Sequence, residues 1–237
     1  METIILVGGL GTRLKSLVND IPKPMADIHG RPFLSCVMDF LSGQGISRVL
    51  LSVGYKHELI ERYFGHLHGR LKIEYVVEHE PLGTGGAILE SLRSCHEDDV
   101  VVLNGDTLFT VDLPKMMEFH RLKRADITVA LKALVRTGRY GAVHADQNGR
   151  ITGFHEKADE GTDYINGGVY ILRRGIENLL RRAGRSFSFE SDFLERNVRR
   201  ISAYAFVSDA FFIDIGIPSD YIRAREVLSR AVKGVVP

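Results

Sequence analysis

The chain has 237 residues, 44% hydrophobic and 26% charged, which suits one large domain or two small ones with a sizeable core. Its 31 basic and 30 acidic residues leave a formal charge of +1, so there is no electrostatic case for a nucleic-acid or membrane partner, although a nucleotide substrate needs only a local cluster of cations. No run approaches the roughly 20 apolar residues of a membrane span, and the start METIILVGG lacks a signal peptide's basic region and long apolar stretch.

Cys36 and Cys95 show no CxxC or Cys/His spacing, which predicts buried free thiols and a cytoplasmic protein. TIILV (Thr3–Val7) predicts a strand. In PFLSCVMDFLSGQG, Phe33, Leu34, Val37, Met38 and Leu41 fall at helical spacing, with Gly45 placed to stop the helix. RVLLSVG predicts a second strand, Glu58–Phe64 a helix, KIEYVV a strand, TGGAILESLRS a helix with Thr84 as its N-cap, and VVVLNGD a strand. Apolar strands alternating with helices indicate a parallel sheet covered on both faces. The expected fold class is therefore α/β, a Rossmann-like doubly wound mixed sheet, mostly parallel, with ligands at the carboxyl ends of its strands. LVGGLG and LNGD both sit at such ends.

After about Ala125 the rhythm changes. DITVALKAL, YGAVHAD, RITGFHEK and GGVYILR predict an antiparallel meander, with a turn at Gln147–Gly149. Helices near Ile176–Arg182 and over FSFESDFLERNV, strands ISAYAF and FFIDIG, and a helix from about Ser219 complete the chain. There is no repeat, low-complexity tract or linker. A single domain, with halves at about 1–125 and 126–237 sharing one sheet and one core, is the expectation.

The glycine loop LVGGLGTRL, Leu6 to Leu14, fits neither familiar phosphate motif. A dinucleotide fingerprint needs GxGxxG and an acidic residue ending the second strand, whereas Thr12, Arg13 and Leu14 follow Gly9-Leu10-Gly11 and the second strand ends SVGYK. A P-loop's GxxxxGK[ST] is absent as well. What remains is a loop whose amides, around Gly8, Gly9, Gly11 and Thr12, can face an anion, with Arg13 at its far end. PKPM (Pro22–Met25) then holds Lys23 between two prolines, well suited to placing a point charge on a phosphoryl oxygen. Arg13 can grip phosphate oxygens through two donors. Taken alone, the loop is equally a glycine turn followed by solvated cations.

GGLGTRL and PKPM, followed in order by EPLGTGGA, LNGD, FHEK, NGGVY and FIDIG, resemble the signature of the sugar-nucleotidyltransferases, which join a nucleoside triphosphate to a sugar 1-phosphate. The pattern covers nearly the whole chain. One departure is Ser16, where the family commonly has proline. The resemblance implies nucleotide contacts from Leu6, Gly8, Gly9, Gly11, Thr12, Arg13, Lys23, Glu78, Gly83 and Thr84, with Arg13, Lys23 and Asp106 as the catalytic set.

Asp106 and Asp214 end strands, so both can sit at the sheet edge. Mg²⁺ prefers oxygen ligands and usually takes one or two carboxylates plus substrate phosphates; in the family the matching aspartates hold Mg²⁺. Otherwise Asp106 is a turn acid and Asp214 a helix cap. In the family the position of Glu78 faces the base edge. A carboxylate only accepts hydrogen bonds, and guanine offers two adjacent donors, which favours GTP; Glu80 or backbone alone is the other candidate.

The resemblance also assigns sugar-phosphate contacts to Gly141, Glu156, Lys157 and Asn166. The arginines from Arg173 to Arg200 form either a solvated face or a contact to an extra substrate group. The nine histidines show no ligand spacing.

Among family members the chain looks most like the bacterial guanylyltransferases of D-glycero-D-manno-heptose 1-phosphate, implying GTP and that sugar phosphate as substrates, GDP-heptose for capsule or lipopolysaccharide synthesis, and no further domain. Mannose 1-phosphate guanylyltransferases come next and amino-sugar uridylyltransferases third. A homo-oligomer stays open. A metal-dependent glycosyltransferase would carry a DxD motif in place of the single Asp106. A non-catalytic sensor should have lost some of Arg13, Lys23, Asp106 or Asp214.

Overall fold

A computed structural model describes residues 1–9, 21–133, 142–155 and 164–231. The first half alternates as its apolar runs require: β1 (Glu2–Leu6), a small hairpin of β2 (Asp27–Ile28) and β3 (Arg31–Pro32), α1 (Phe33–Gly43), β4 (Arg48–Val53), α2 (His57–Phe64), β5 (Leu67–His68), β6 (Leu71–Val77), α3 (Gly83–Leu92) and β7 (Asp99–Asn104). Then come β8 (Thr107–Phe109), α4 (Leu113–Leu122), β9 (Ile127–Ala133), β10 (Ala142–Ala145), β11 (Ile151–His155) and β12 (Tyr164–Arg173). A short α5 (Glu177–Leu180), a π-helical turn (Phe189–Leu194), α6 (Glu195–Asn197), β13 (Ala203–Val207), β14 (Phe212–Asp214) and α7 (Pro218–Ala231) finish the chain.

One ten-stranded sheet runs through both halves in the order β11-β10-β12-β7-β1-β4-β6-β5, with β9 beside β12 and β13 beside β9. Strands β7, β1, β4 and β6 are parallel, whereas β12 lies antiparallel to β7, β9 and β10. This is the doubly wound mixed sheet expected. The second half is not a pure meander, because β13 runs parallel to β9.

The expected single core is two layers, one on each face of the sheet. Successive strand residues point to opposite faces. Ile5, Leu51 and Leu103 pack with α1, α2, α4 and α7, and Ile4, Leu50 and Val102 pack with α3, α5 and the π-helical turn. Helix α4 has no counterpart among the expected elements, although Asp112 caps it in a recognisable way, accepting from the Lys115 amide at 3.0 Å ahead of Leu113, Met116 and Met117. The expected helix over FSFESDFLERNV is a π-helical turn with a short α-helical end. Both cysteines are free, Cys95 buried and Cys36 partly so.

Helix α4 also buries His120 completely. Its Nδ1 meets Thr128 Oγ1 at 2.8 Å, and burial holds its imidazole down to about 4. Unfolding releases a histidine that titrates near 6.5, so between those values the unfolded chain binds the extra proton. The His120 contribution is therefore complete above about pH 6.5 and declines as pH falls toward 4, by up to about 3 kcal/mol. Urea unfolding of the wild type and His120→Gln across this range should diverge accordingly; parallel profiles would exclude it.

Candidate active site

The carboxyl ends of β1 and β7 open into a cleft of about 720 Å³. Leu6, Gly8, Gly9, Lys23, Glu78, Gly83, Thr84 and Asp106 all line it, together with Asn104 and Gly216. These residues come from distant parts of the chain, and register brings them together: Leu6 pairs with Ser52 on one side and Asn104 on the other.

Lys23 opens a single helical turn between Pro22 and Pro24, and its ammonium forms an ion pair with the Asp106 carboxylate. β14 pairs with β8 so that Asp214 stands opposite Thr107, and Ile215 N donates to Asp106 O at 3.0 Å. Burial and the neighbouring Asp106 carboxylate push the Asp214 carboxyl up to about 6. Two carboxylates that repel one another at a partly buried sheet edge form a hard oxygen donor set, and bound Mg²⁺ would remove that repulsion. The residues present therefore fit a divalent cation. The described residues contain no group of three or more acidic, His or Cys ligands, so water and substrate oxygens would complete the coordination.

Glu78 follows β6, and its carboxylate is fixed by Ser52 Oγ at 3.0 Å and Leu82 N at 3.4 Å. Gly8 makes room for it: a Cβ there would lie 2.5 Å from Glu78 Oε1. Burial raises the Glu78 carboxyl above its ordinary value, so donors that satisfy its free lone pairs are favoured there. Glu80 is bound to Arg185 at 2.6 Å and has less claim on a ligand.

Helix α3 departs from expectation. Thr84 is not its N-cap; Leu82 precedes the helix with no side-chain cap bond. The Thr84 hydroxyl instead donates to Glu190 Oε2 at 2.7 Å and accepts from Phe189 N at 2.8 Å. Residues 185–190 close over this end of α3, with Gly85 N donating to Phe187 O at 2.9 Å and the Phe187 ring filling the space of a Gly85 side chain. Gly83, at φ +68°, lies against the Phe187 carbonyl, where a Cβ would be 2.5 Å away. The glycines of EPLGTGGA thus serve chain packing, and Gly83 lines the cleft as well.

Asn166 lies outside the cleft wall, at an irregularity of β12 where its edge passes from β10 to β7. Gly11, Thr12, Arg13, Gly141, Glu156 and Lys157 lie outside the described residues. Asn104 is a lining residue outside the expected set; its Oδ1 is buried with no hydrogen-bond partner among the described residues, and its place before Gly105-Asp106 in LNGD is the signal that marks it. Of the arginines, Arg173, Arg174, Arg181 and Arg196 pair with carboxylates of Asp126, Glu177, Glu177 and Asp192, as a solvated face would.

The nucleotidyl transferase family pattern matches residues 2–230. The chain belongs to that family. This nucleotidyl transferase is 50% identical over 235 residues, 98% of its length and 100% of the relative's, to the D-glycero-alpha-D-manno-heptose 1-phosphate guanylyltransferase of Aneurinibacillus thermoaerophilus. It is 46% identical to the protein of that name from Campylobacter jejuni, covering 93% of this chain and 97% of the relative. Crystal structures of HddC from Yersinia pseudotuberculosis, alone and complexed with GMP-PN, superpose with TM-scores of 0.86 and 0.84 at 39% identity, covering 96% of the nucleotidyl transferase and 99% of HddC. No helix among the described residues is long and apolar enough to cross a membrane.

Proposed function

We propose that this nucleotidyl transferase joins GTP to D-glycero-alpha-D-manno-heptose 1-phosphate, giving GDP-heptose and pyrophosphate. The observation that carries the choice of nucleotide is Glu78, a half-buried carboxylate anchored at the cleft by Ser52. It can accept from guanine N1–H and the exocyclic amino group together, whereas uracil and thymine offer one donor between two acceptors. The heptose guanylyltransferases it resembles over nearly its full length support both substrates.

An oxygen of the sugar phosphate attacks the α-phosphorus, one P–O bond forms, and the bond to the β-phosphate breaks, its electron pair leaving with pyrophosphate. The nucleophile is already an anion, so no side chain acts as general base. The protein's work is to align two anions and neutralise their charge. Lys23 would take the nucleotide phosphates, a role supported by its prolines and its pairing with Asp106 at the cleft. Arg13 and the glycine loop take the leaving pyrophosphate, Lys157 the sugar phosphate, and Glu156, Asn166 and the Gly141 amide the sugar hydroxyls. Asp106 and Asp214 would hold Mg²⁺, which when bound supplies positive charge against the reacting phosphate oxygens.

The test is pyrophosphate release with Mg²⁺ for ATP, CTP, GTP, UTP and dTTP, each against heptose, mannose and glucosamine 1-phosphates. Release should be greatest with GTP and the heptose phosphate. Silence with every pair would sink the transfer, and release with UTP but not GTP would sink the role of Glu78. Mannose 1-phosphate as the better acceptor would replace the heptose.

A further inference from the structure

Glu190 lies in the π-helical turn, outside the cleft wall, yet both its carboxylate oxygens are bonded toward the site. Oε1 accepts from the Tyr170 hydroxyl at 2.9 Å. Oε2 accepts from Thr84 Oγ1 at 2.7 Å and Ser188 Oγ at 3.2 Å. Tyr170 is fully buried, and its oxygen in turn accepts from Asn166 Nδ2 at 2.7 Å. Asn166 Oδ1 accepts from Gly168 N at 3.0 Å.

The direction of this chain follows from Glu190. A carboxylate only accepts, so Tyr170 must give it its single proton. The tyrosine oxygen can then only accept from the other side, so the Asn166 amide turns its nitrogen to Tyr170 and its oxygen to the Gly168 N–H. Reversing the amide would set donor against donor at Gly168 and leave the tyrosine oxygen facing another acceptor. Burial and the Glu190 carboxylate hold the Tyr170 hydroxyl well above its ordinary titration range, so the proton stays in place. On the other side, Thr84 gives its proton to Glu190 and accepts from Phe189 N.

We propose that Glu190 is a positioning residue: through Tyr170 it fixes the orientation of the Asn166 amide at the sugar end of the site, and through Thr84 it ties that end to helix α3 at the nucleotide end. The consequence for catalysis rests on the sugar-phosphate contact of Asn166 proposed above. The nucleotide end is held redundantly, because Gly85 N–Phe187 O and Phe187 N–Leu82 O, at 2.9 and 3.0 Å, clamp α3 independently of Glu190. Among the described residues the Asn166 amide is held by Gly168 N on one side and by Tyr170 on the other, and of these two bonds the one to Tyr170 leads to Glu190.

Glu190→Ala, which leaves the Tyr170 proton without its acceptor, and Tyr170→Phe should therefore each raise KM for the sugar 1-phosphate about ten-fold, the scale of one misdirected hydrogen bond, while KM for GTP stays within about two-fold. An equal rise in both KM values would mean general loosening and overturn the positioning role. A second readout needs no substrate. Asp at 166 only accepts and Gln at 190 can donate, so N166D/E190Q lets the same chain run fully satisfied in the opposite direction. Each single variant should lower the thermal midpoint by about 5 °C, and the double variant should recover at least half of the summed loss. Additive losses would overturn the directional chain. A wild type inactive toward every sugar phosphate would instead defeat the proposed reaction, leaving the midpoint comparison to decide the role of Glu190.

Discussion

Asp106→Asn is expected to lower turnover at saturating GTP and sugar phosphate by at least about 100-fold, the usual cost of removing a preorganised charge from a phosphoryl or acyl transfer site. Two losses act together. Asp106 pairs with Lys23 across 83 residues of sequence, and asparagine would leave that ammonium without the carboxylate that aims it. It would also remove one of the two neighbouring carboxylates, Asp106 and Asp214, and with it most of the hold on a hard divalent cation. Asparagine keeps the shape and the Ile215 N bond to the residue 106 carbonyl, so the fold should persist. Pyrophosphate release, read beside a Mg²⁺ titration of thermal stability, checks this: the variant should lose both turnover and the Mg²⁺-dependent rise in midpoint. Turnover within about five-fold of wild type would remove Asp106 from the reaction.

Glu78→Gln should lower kcat/KM for GTP by about 100-fold and raise that for UTP, moving the preference between them further than either change alone. Glutamine can accept at one position and donate at the next, which matches the acceptor–donor edge of uracil and sets a donor against one of guanine's. Ser52 and Leu82 hold either side chain in place, so the effect is one of recognition rather than folding. A pH dependence accompanies it. Because burial raises the Glu78 carboxyl, GTP binding to wild type should begin to weaken at a higher pH on acidification than an ordinary glutamate would cause, as protonation replaces an acceptor with a donor. In Glu78→Gln that component should vanish. Unchanged nucleotide preference in the variant would transfer base recognition to the backbone.

The legible parts of this protein are those set by near neighbours in the chain. Apolar runs such as VLLSV and VVVL have to be buried on both faces, so strand, helix cover and the position of LVGG and LNGD at strand ends follow from the sequence alone. The order of short motifs likewise marks which segments meet, and Leu6, Lys23, Glu78 and Asp106 do line one cleft. Helix α4 is absent from the expected elements: Asp112 offers a cap, but the mixed polar surface of the segment hides the apolar stripe of Leu113, Met116 and Met117.

What the sequence by itself determined is the α/β class, the alternation of elements and the residue types available for phosphate, base and cation. The tertiary structure alone decided which partners those residues have. The Lys23–Asp106 pair, the approach of Asp214 through β8 and β14, and the chain from Thr84 through Glu190 and Tyr170 to Asn166 all join residues far apart in sequence. Thr84 illustrates the reason. Locally it reads as a helix cap, but the helix already begins at Gly83, and the hydroxyl oxygen that would accept from a helix N–H accepts instead from Phe189 N while its proton goes to Glu190, 106 residues away.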